Sequence, residues 1–126
     1  MIRPLVTATL IALLAGSAVA RPLKPAEEAK IQPDGPPVSC ISSHNIRETR
    51  VRDDSTIDFY MNGGKVYRNK LPNSCPQLGF EERFGYETSI DQLCSVDIIH
   101  VLYSGPPMQG ASCGLGQFQP IIGAPR

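Results

Sequence analysis

A β-hairpin signal between residues 51 and 75 constrains this chain more than any other stretch. Two segments with alternating apolar and polar residues, 56–61 and 65–71, flank Asn62-Gly63-Gly64. This tripeptide favours a tight turn because glycine adopts backbone conformations that other residues avoid, and the alternation is typical of half-buried strands. The stretch is therefore predicted to form an antiparallel hairpin that is followed closely by Cys75.

Loop length decides the register of this hairpin. A three-residue loop over 62–64, with Gly64 in the left-handed conformation, places Phe59 opposite Tyr67 and Asp58 opposite Arg68. A two-residue loop would instead bring Arg68 to the apolar face, which is the less favourable arrangement. The three-residue loop is predicted, with one apolar face formed by Ile57, Phe59, Met61, Tyr67 and Leu71.

A second turn, at residues 53–55, is predicted to join the hairpin to a preceding strand over 46–52. The short polar side chains in this turn can bond their own backbone, and a three-residue loop sets Arg50 opposite Asp58. Arg50, Asp58 and Arg68 then form a cross-strand row of charges on the outer face of the sheet. Two interpretations stay open: a solvated row whose pairs contribute less than about 1 kcal/mol each, or a recognition site for an anion or carboxylate.

The first twenty residues have the features of a secretory signal. Arg3 supplies the positive charge, residues 5–15 form an apolar run, and Ala18-Val19-Ala20 matches a cleavage site. A membrane anchor is the alternative, but the apolar run is well short of the roughly 20 residues that a spanning helix needs. Cleavage after Ala20 is therefore predicted, which leaves a periplasmic or secreted protein with no membrane span.

Cleavage leaves 106 of the 126 residues, which is enough for one domain but not for two. The predicted divisions are a signal over 1–20, a Pro-rich tether over 21–39, a four-cysteine β domain over 40–122 and a tail over 123–126. The tether is expected to be semi-extended because its five prolines disfavour a packed element. Without the signal the chain has 11 basic and 12 acidic residues, a balance that gives no electrostatic reason to expect nucleic acid as a partner.

The four cysteines predict two disulfide bonds. Cys40, Cys75, Cys94 and Cys113 are separated by 35, 19 and 19 positions, whereas zinc sites usually contain a closely spaced pair, and exported thiols tend to oxidise. Neither a metal site nor a cofactor is expected. Of the three possible pairings, an up-and-down strand order favours Cys40 with Cys94 and Cys75 with Cys113, because it brings each pair to the same end of the sheet.

Further strands are predicted over 80–88, 93–103 and 117–122. The segment 93–103 is apolar on both faces, which is typical of a central strand, whereas charges and Gly85 interrupt 80–88 and indicate an edge strand. Together with the strands of the first half, these segments predict a mainly β domain. We expect a single small antiparallel curled sheet or open barrel of five to six strands, linked by disulfides.

No catalytic residue is predicted. His44 and His100 stand in no Ser-His-Asp or Cys-His pattern, and oxidised cysteines offer no nucleophilic thiol. Asp97 lies within the strongest predicted strand, where a carboxylate must reach solvent or find partners. Its two interpretations are a carboxylate that accepts backbone or arginine hydrogen bonds, and a ligand-binding group.

Motifs across residues 40–120 resemble a known family. They are Cys40-Ile41-Ser42, Ile46-Arg47, Asp53-Asp54 with Thr56-Ile57, Gly63-Gly64 with Tyr67 and Asn69, Leu71 with Cys75-Pro76, Leu93-Cys94-Ser95 with Asp97 and Ile98, and Cys113-Gly114-Leu115-Gly116 with Phe118. In order and spacing they resemble a family of small exported Gram-negative bacterial proteins classed as a domain of unknown function. The resemblance implies export and a single small domain, and it carries no activity with it.

The function expected from these features is a non-enzymatic binding or interaction module. Its partner would be an envelope protein, a peptide or a glycan, bound most plausibly at the loop-rich end around Cys75 and Cys113. The alternative is a small envelope hydrolase or inhibitor-type effector that uses Asp97 with an arginine. The candidate binding residues are Asp97, Arg50, Asp58 and Arg68.

Overall fold

A computed structural model describes residues 22–88 and 90–126 of the chain. The predicted signal over 1–20 lies outside the described residues. The strands in chain order are β1 (Gln32–Pro33), β2 (Cys40–Ser42), β3 (Ile46–Asp53), β4 (Thr56–Met61), β5 (Val66–Lys70), β6 (Phe84–Tyr86), β7 (Gln92–Cys94), β8 (Ile98–Leu102), β9 (Gln109–Gly114) and β10 (Phe118–Ile122). Two single-turn helices, α1 (Pro25–Glu28) and α2 (Leu78–Glu81), and a 3-10 turn over Ser43–Asn45 complete the described elements.

The strands form three antiparallel sheets. The largest has the order β1-β10-β5-β4-β3, a second pairs β2 with β7, and a third has the order β6-β8-β9. The predicted mainly β, antiparallel and disulfide-linked fold is confirmed. Its strands are divided among three sheets, which do not close into a barrel, instead of following one another through a single curled sheet.

The central hairpin has the predicted register. Phe59 lies opposite Tyr67 and Asp58 opposite Arg68 on β4 and β5. Gly63 and Gly64 both have positive φ, at 90° and 93°, in the loop that joins these strands. Arg50 also lies opposite Asp58, as predicted. The loop between β3 and β4 is shorter than the predicted three residues, because a register irregularity between Val51 and Asp53 lets Asp53 pair with Thr56.

Both predicted disulfides are present. Cys40 is bonded to Cys94 and Cys75 to Cys113, with Cα separations of 4.0 and 5.9 Å. Cys40 and Cys94 also lie directly opposite each other where β2 pairs with β7, so the first bond lies across a strand pair. The second joins the segment after β5 to β9 and therefore connects the largest sheet to the three-stranded one.

Three strand predictions are corrected. The segment 93–103 is two strands, β7 and β8, because residues 95 and 96 form a turn between them. The segment 80–88 contains the end of α2 and only a three-residue strand, β6. The glycine-rich stretch before Cys113, for which no strand is predicted, forms β9 because its backbone pairs with β8, an interaction that alternation of side chains does not reveal.

The predicted boundary between tether and domain at residue 40 is not where backbone pairing begins. β1 pairs with the C-terminal strand β10, the amide of Asp34 donates to the carbonyl of Pro120, and Val38 forms a bridge with Phe118. Prolines allow this arrangement because an edge segment needs few of its own amide donors. The proline-rich segment is thus the outer edge of the largest sheet.

The two faces of the largest sheet are both covered. On one face Ile57, Phe59 and Phe118 are fully buried in the main core, which also includes Leu78, Leu93, Ile99 and Val101. On the other face Tyr60, Val66 and Ile121 pack with Ile31 and Ala124, which belong to the N-terminal segment and the C-terminal tail. All six residues of β4 are consequently buried. Neither helix of the described residues is long and apolar enough to cross a membrane.

Candidate functional site

Asp58 lies at the centre of a buried network of charges on the second face of the largest sheet. Its carboxylate is fully buried and accepts hydrogen bonds from Arg68 at both oxygens, Nε to Oδ1 at 2.8 Å and Nη2 to Oδ2 at 3.0 Å. Arg52 adds a third bond, from Nε to Oδ2 at 2.9 Å. Both arginine side chains are 7% exposed. One carboxylate therefore serves two buried guanidinium groups, and the paired geometry lowers the cost of burying all three charges.

Arg68 also reaches outward from this network. Its Nη1 donates to Oε1 of Glu28, the last residue of α1, whose side chain is 51% exposed. Burial by itself would lower the pKa of Arg68, but the hydrogen bonds to Asp58 and Glu28 outweigh it and raise the pKa above its ordinary value. Arg68 is therefore a permanent cation with one side on a buried carboxylate and the other at the surface.

The predicted row of Arg50, Asp58 and Arg68 is present in register but differs in its contacts. Arg50 does not hold Asp58: it donates to Glu48 at 2.7 and 3.1 Å and to the carbonyl of Pro125 at 3.1 Å. The interpretation of the row as a solvated face is wrong, because the N-terminal segment and the C-terminal tail cover that face.

Arg52 is the site residue that the sequence reasoning missed. It lies two positions after Arg50, so strand alternation places both side chains on one face, and this spacing was the available signal. Its Nη2 donates to Tyr60 Oη at 3.0 Å, and Tyr60 Oη in turn donates to the carbonyl of Pro125 at 2.6 Å. The network thereby joins the sheet to the C-terminal tail.

Two surface cavities adjoin the network and share Pro22, Arg52 and Asp53 in their walls. The smaller, about 210 Å³, is lined by charged groups that include Arg68 and Lys70. The larger, about 550 Å³, is also lined by Phe80 of α2. We call the two together the hairpin cleft, because the turn between β3 and β4 forms part of its wall. One part of this cleft is lined by charges of both signs, including Glu28, and the other is mostly apolar.

The apolar part is built on a turn that is fixed in place. The carbonyl of Asp54 accepts the amide of Cys75 at 2.7 Å, and its carboxylate accepts the amide of Gly79 at 2.7 Å. Because Cys75 is disulfide-bonded and Leu78 is fully buried, α2 is anchored on the side away from solvent. Phe80, on the same short helix, remains 55% exposed. The aromatic ring of Phe80 is thus exposed to solvent on a helix that is fixed in place.

Asp97 lies outside the hairpin cleft and is engaged with the backbone. Its Oδ2 accepts the amide of Cys94 at 2.7 Å, and its own amide donates to the carbonyl of Cys94 at 2.9 Å. Its carbonyl accepts the amide of Leu115 at 3.2 Å. Within residues 22–88 and 90–126 no arginine forms an ion pair with it. The structure therefore separates Asp97 from Arg50, Asp58 and Arg68, and the carboxylate accepts a backbone hydrogen bond, as the first of its two interpretations expects.

The remaining polar candidates form no larger constellation in the described ranges. His100 Nδ1 lies 2.8 Å from Ser112 Oγ across β8 and β9, without a carboxylate on the ring in the described structure. His44 forms an exposed pair with Asp91 at 2.8 Å. No group of three or more His, Cys, Asp or Glu side chains suited to a metal ion occurs among the residues that the structure describes.

No protein family, curated protein or solved structure matches this chain. The site is therefore interpreted from its own geometry.

Proposed function

We propose that this chain is an exported, non-enzymatic binding module, periplasmic or secreted, that holds a segment of an envelope protein or peptide in the hairpin cleft. The observation that carries the proposal is the open surface cavity of about 550 Å³ beside Phe80, whose side chain is 55% exposed although Leu78 and Gly79, which precede it in α2, are buried. Ligand sites are commonly concave, mostly apolar and of this volume, with a few polar groups that orient the ligand. Exposed aromatic groups on a rigid support are also common anchors in protein interfaces.

The composition of the cleft favours a peptide over a glycan. Its apolar part offers a phenyl ring and a proline, which suit an apolar side chain, and its charged part offers Arg68 and Lys70 beside Glu28. The disulfide at Cys75 and the bonds from Asp54 hold this end in place. A preorganised site of this kind loses little conformational entropy on binding.

Two further observations support the proposal. In the alternative function, a hydrolase or effector, Asp97 would act with an arginine. One oxygen of its carboxylate accepts the amide of Cys94, which favours the binding module over that alternative. The two disulfides are typical of an oxidising compartment, and they agree with export and with the resemblance to small exported Gram-negative proteins.

The test is affinity capture with two matched variants. Purified mature protein is immobilised and incubated with envelope extract from a Gram-negative host, alongside Phe80→Ser and Val96→Ser. Val96 is a suitable control because it is an exposed apolar residue, at 86%, that does not line the cleft. We expect the wild type and Val96→Ser to retain the same partner, and Phe80→Ser to retain at least about tenfold less.

Equal retention by Phe80→Ser and the wild type would overturn the proposed site. Treatment of the extract with protease before capture identifies the class of partner. Capture that survives this treatment would indicate a glycan and reject the peptide assignment.

A further inference from the structure

One nitrogen of Arg68, Nη1, bonds to a carboxylate that lies on an exposed helical turn. Nη1 bonds to Glu28, and no residue of α1 is buried. The other nitrogens that bond Asp58 belong to the interior, where the carboxylate is fully buried. The two carboxylates on Arg68 therefore differ in kind: Asp58 is fixed by strand pairing, whereas Glu28 lies on a single helical turn at the surface.

Among the described residues, the charges around the smaller cavity balance only when Glu28 is counted. Arg52, Arg68 and Lys70 line the wall, and Asp58 and Asp53 supply two negative charges beside them. Lys70 has no ion-pair partner in the part of the chain that the structure describes. Removal of the Glu28 carboxylate would leave one excess positive charge at the cavity, beside the buried guanidinium of Arg68. Arg68 keeps its bonds to Asp58, but Asp58 carries a single negative charge that it shares with Arg52, so the site favours a second anion.

We propose that Glu28 is an internal occupant of a carboxylate site on Arg68, and that the ligand of the hairpin cleft carries a carboxylate that displaces it. This inference rests on the proposed function and names the chemical class of its ligand. A bare anion has no advantage over Glu28, which is already tethered nearby. A carboxylate attached to an apolar group gains contact with Phe80 and Pro22 in the adjoining part of the cleft. The ligand is therefore an acidic peptide segment with an apolar residue next to its carboxylate.

Exchange at Arg68 replaces one carboxylate by another. The Glu28 side chain is half exposed on a single helical turn with no buried residue, so it can move into water when another carboxylate takes its place. Displacement leaves the Asp58 bonds in place, so the buried network stays complete while the ligand changes. Occupancy by Glu28 would lower the apparent affinity for the ligand, as a competing intramolecular partner does.

The experiment titrates the full mature protein with 3-phenylpropionate and follows the Nε–H signal of Arg68 by NMR. The matched variants are Glu28→Ala and Glu27→Ala. Each removes one negative charge from α1, but the carboxylate of Glu27 bonds to the Lys24 amide instead of to Arg68. We expect Glu28→Ala to bind the probe at least about fivefold more tightly than wild type, and Glu27→Ala to change the affinity less than about twofold.

Two comparison probes define the ligand class. 3-Phenylpropionamide has the same shape without the charge, and inorganic phosphate has charge without the apolar group. Both are expected to bind at least about tenfold more weakly than 3-phenylpropionate. Equal effects of Glu27→Ala and Glu28→Ala, or a comparison probe that binds as tightly as 3-phenylpropionate, would overturn the inference.

The outcomes separate this inference from the proposed function. If Phe80-dependent capture is seen and no probe perturbs Arg68, the carboxylate site is rejected and the binding module stands. If 3-phenylpropionate binds as expected without Phe80-dependent capture, the binding module is rejected and the carboxylate site stands. If neither Phe80-dependent capture nor binding of 3-phenylpropionate is observed, both the binding module and the carboxylate site are rejected.

Discussion

Asp58 and Arg68 face each other across β4 and β5 and are joined by two hydrogen bonds, on the face of the sheet where Ile31 and Ala124 pack. The pair follows directly from the hairpin register. Its burial does not, because the N-terminal segment and the C-terminal tail supply the groups that exclude water. A cross-strand pair of a kind that is worth little at the surface thereby becomes part of the interior.

Replacement of Asp58 is expected to destabilise the protein strongly. Asp58→Asn keeps the shape of the side chain but leaves Arg52 and Arg68 without the buried charge that they share. We expect a loss of about 3–5 kcal/mol in the free energy of unfolding, measured by urea denaturation. Glu48→Gln is the control, since Glu48 pairs with Arg50 near the surface, and its loss should stay below about 1 kcal/mol. Similar losses in both variants would show that the Asp58 charge does not stabilise the buried network.

The two disulfides are expected to differ in their resistance to reduction. In the Cys75–Cys113 bond one sulfur belongs to the fully buried Cys75 and only Cys113 is partly buried, whereas Cys40 and Cys94 are both partly buried. Because thiol exchange requires access to a sulfur, mild reductant followed by alkylation and mass spectrometry should label Cys40 and Cys94 first. Replacement of either bonded pair by alanine should cost about 2–5 kcal/mol. Labelling of Cys75 ahead of Cys94 would contradict this order.

A methyl side chain at position 116 is expected to disrupt the close contact between the Gly116 backbone and β5. A Cβ at Gly116 would collide with the carbonyl oxygen of Lys70, and the Gly116 backbone exchanges two hydrogen bonds with the buried side chain of Asn69, at 2.7 and 2.8 Å. Gly116→Ala should therefore destabilise the fold by about 1–3 kcal/mol in thermal or urea unfolding.

The matched control is Gly114→Ala. A Cβ at Gly114 meets no atom within 4 Å, so this variant should remain within about 0.5 kcal/mol of the wild type. If the two alanine variants unfold alike, the close contact at Gly116 is not a constraint on the fold.

The proline-rich segment is expected to show hydrogen-exchange protection of an ordered edge strand. The amide of Asp34 donates to Pro120 at 2.8 Å and that of Val38 to Phe118 at 2.9 Å. Both amides should exchange at least about tenfold more slowly than that of Ser104, which lies in an exposed loop after β8. If the amides of Asp34 and Val38 exchange as fast as that of Ser104, the proline-rich segment is a tether and not an edge strand.

The predicted signal over 1–20 implies a defined mature terminus. Expression in a Gram-negative host and mass spectrometry of the released protein should give a chain that begins Arg21-Pro22, because Ala18 and Ala20 fit the signal peptidase. Ala18→Arg should block processing, whereas Val19→Leu, at the tolerant middle position, should not. Efficient processing of Ala18→Arg would place the cleavage elsewhere.

Local rules account for the parts of the fold that depend on neighbouring strands. Asn62-Gly63-Gly64 specifies the loop length, loop length specifies the register, and the register places Asp58 between Arg50 and Arg68. These register relationships are available in the sequence because each depends on few residues and on the period of two in a strand. The cysteine pairing is also predicted, but from an up-and-down order through one sheet that the fold does not have: one bond lies across β2 and β7, and the other joins two different sheets.

Long-range packing decided the rest. Whether the second face of β4 meets water or protein depends on β1 crossing to β10 and on the C-terminal tail reaching Tyr60, contacts between parts of the chain that no periodicity connects. Those contacts bury Asp58, substitute Arg52 for Arg50 as its partner, and bring Glu28 to Arg68. The sequence by itself determined which charges share a face; only the tertiary structure decided which of them leave water, because burial depends on what covers that face.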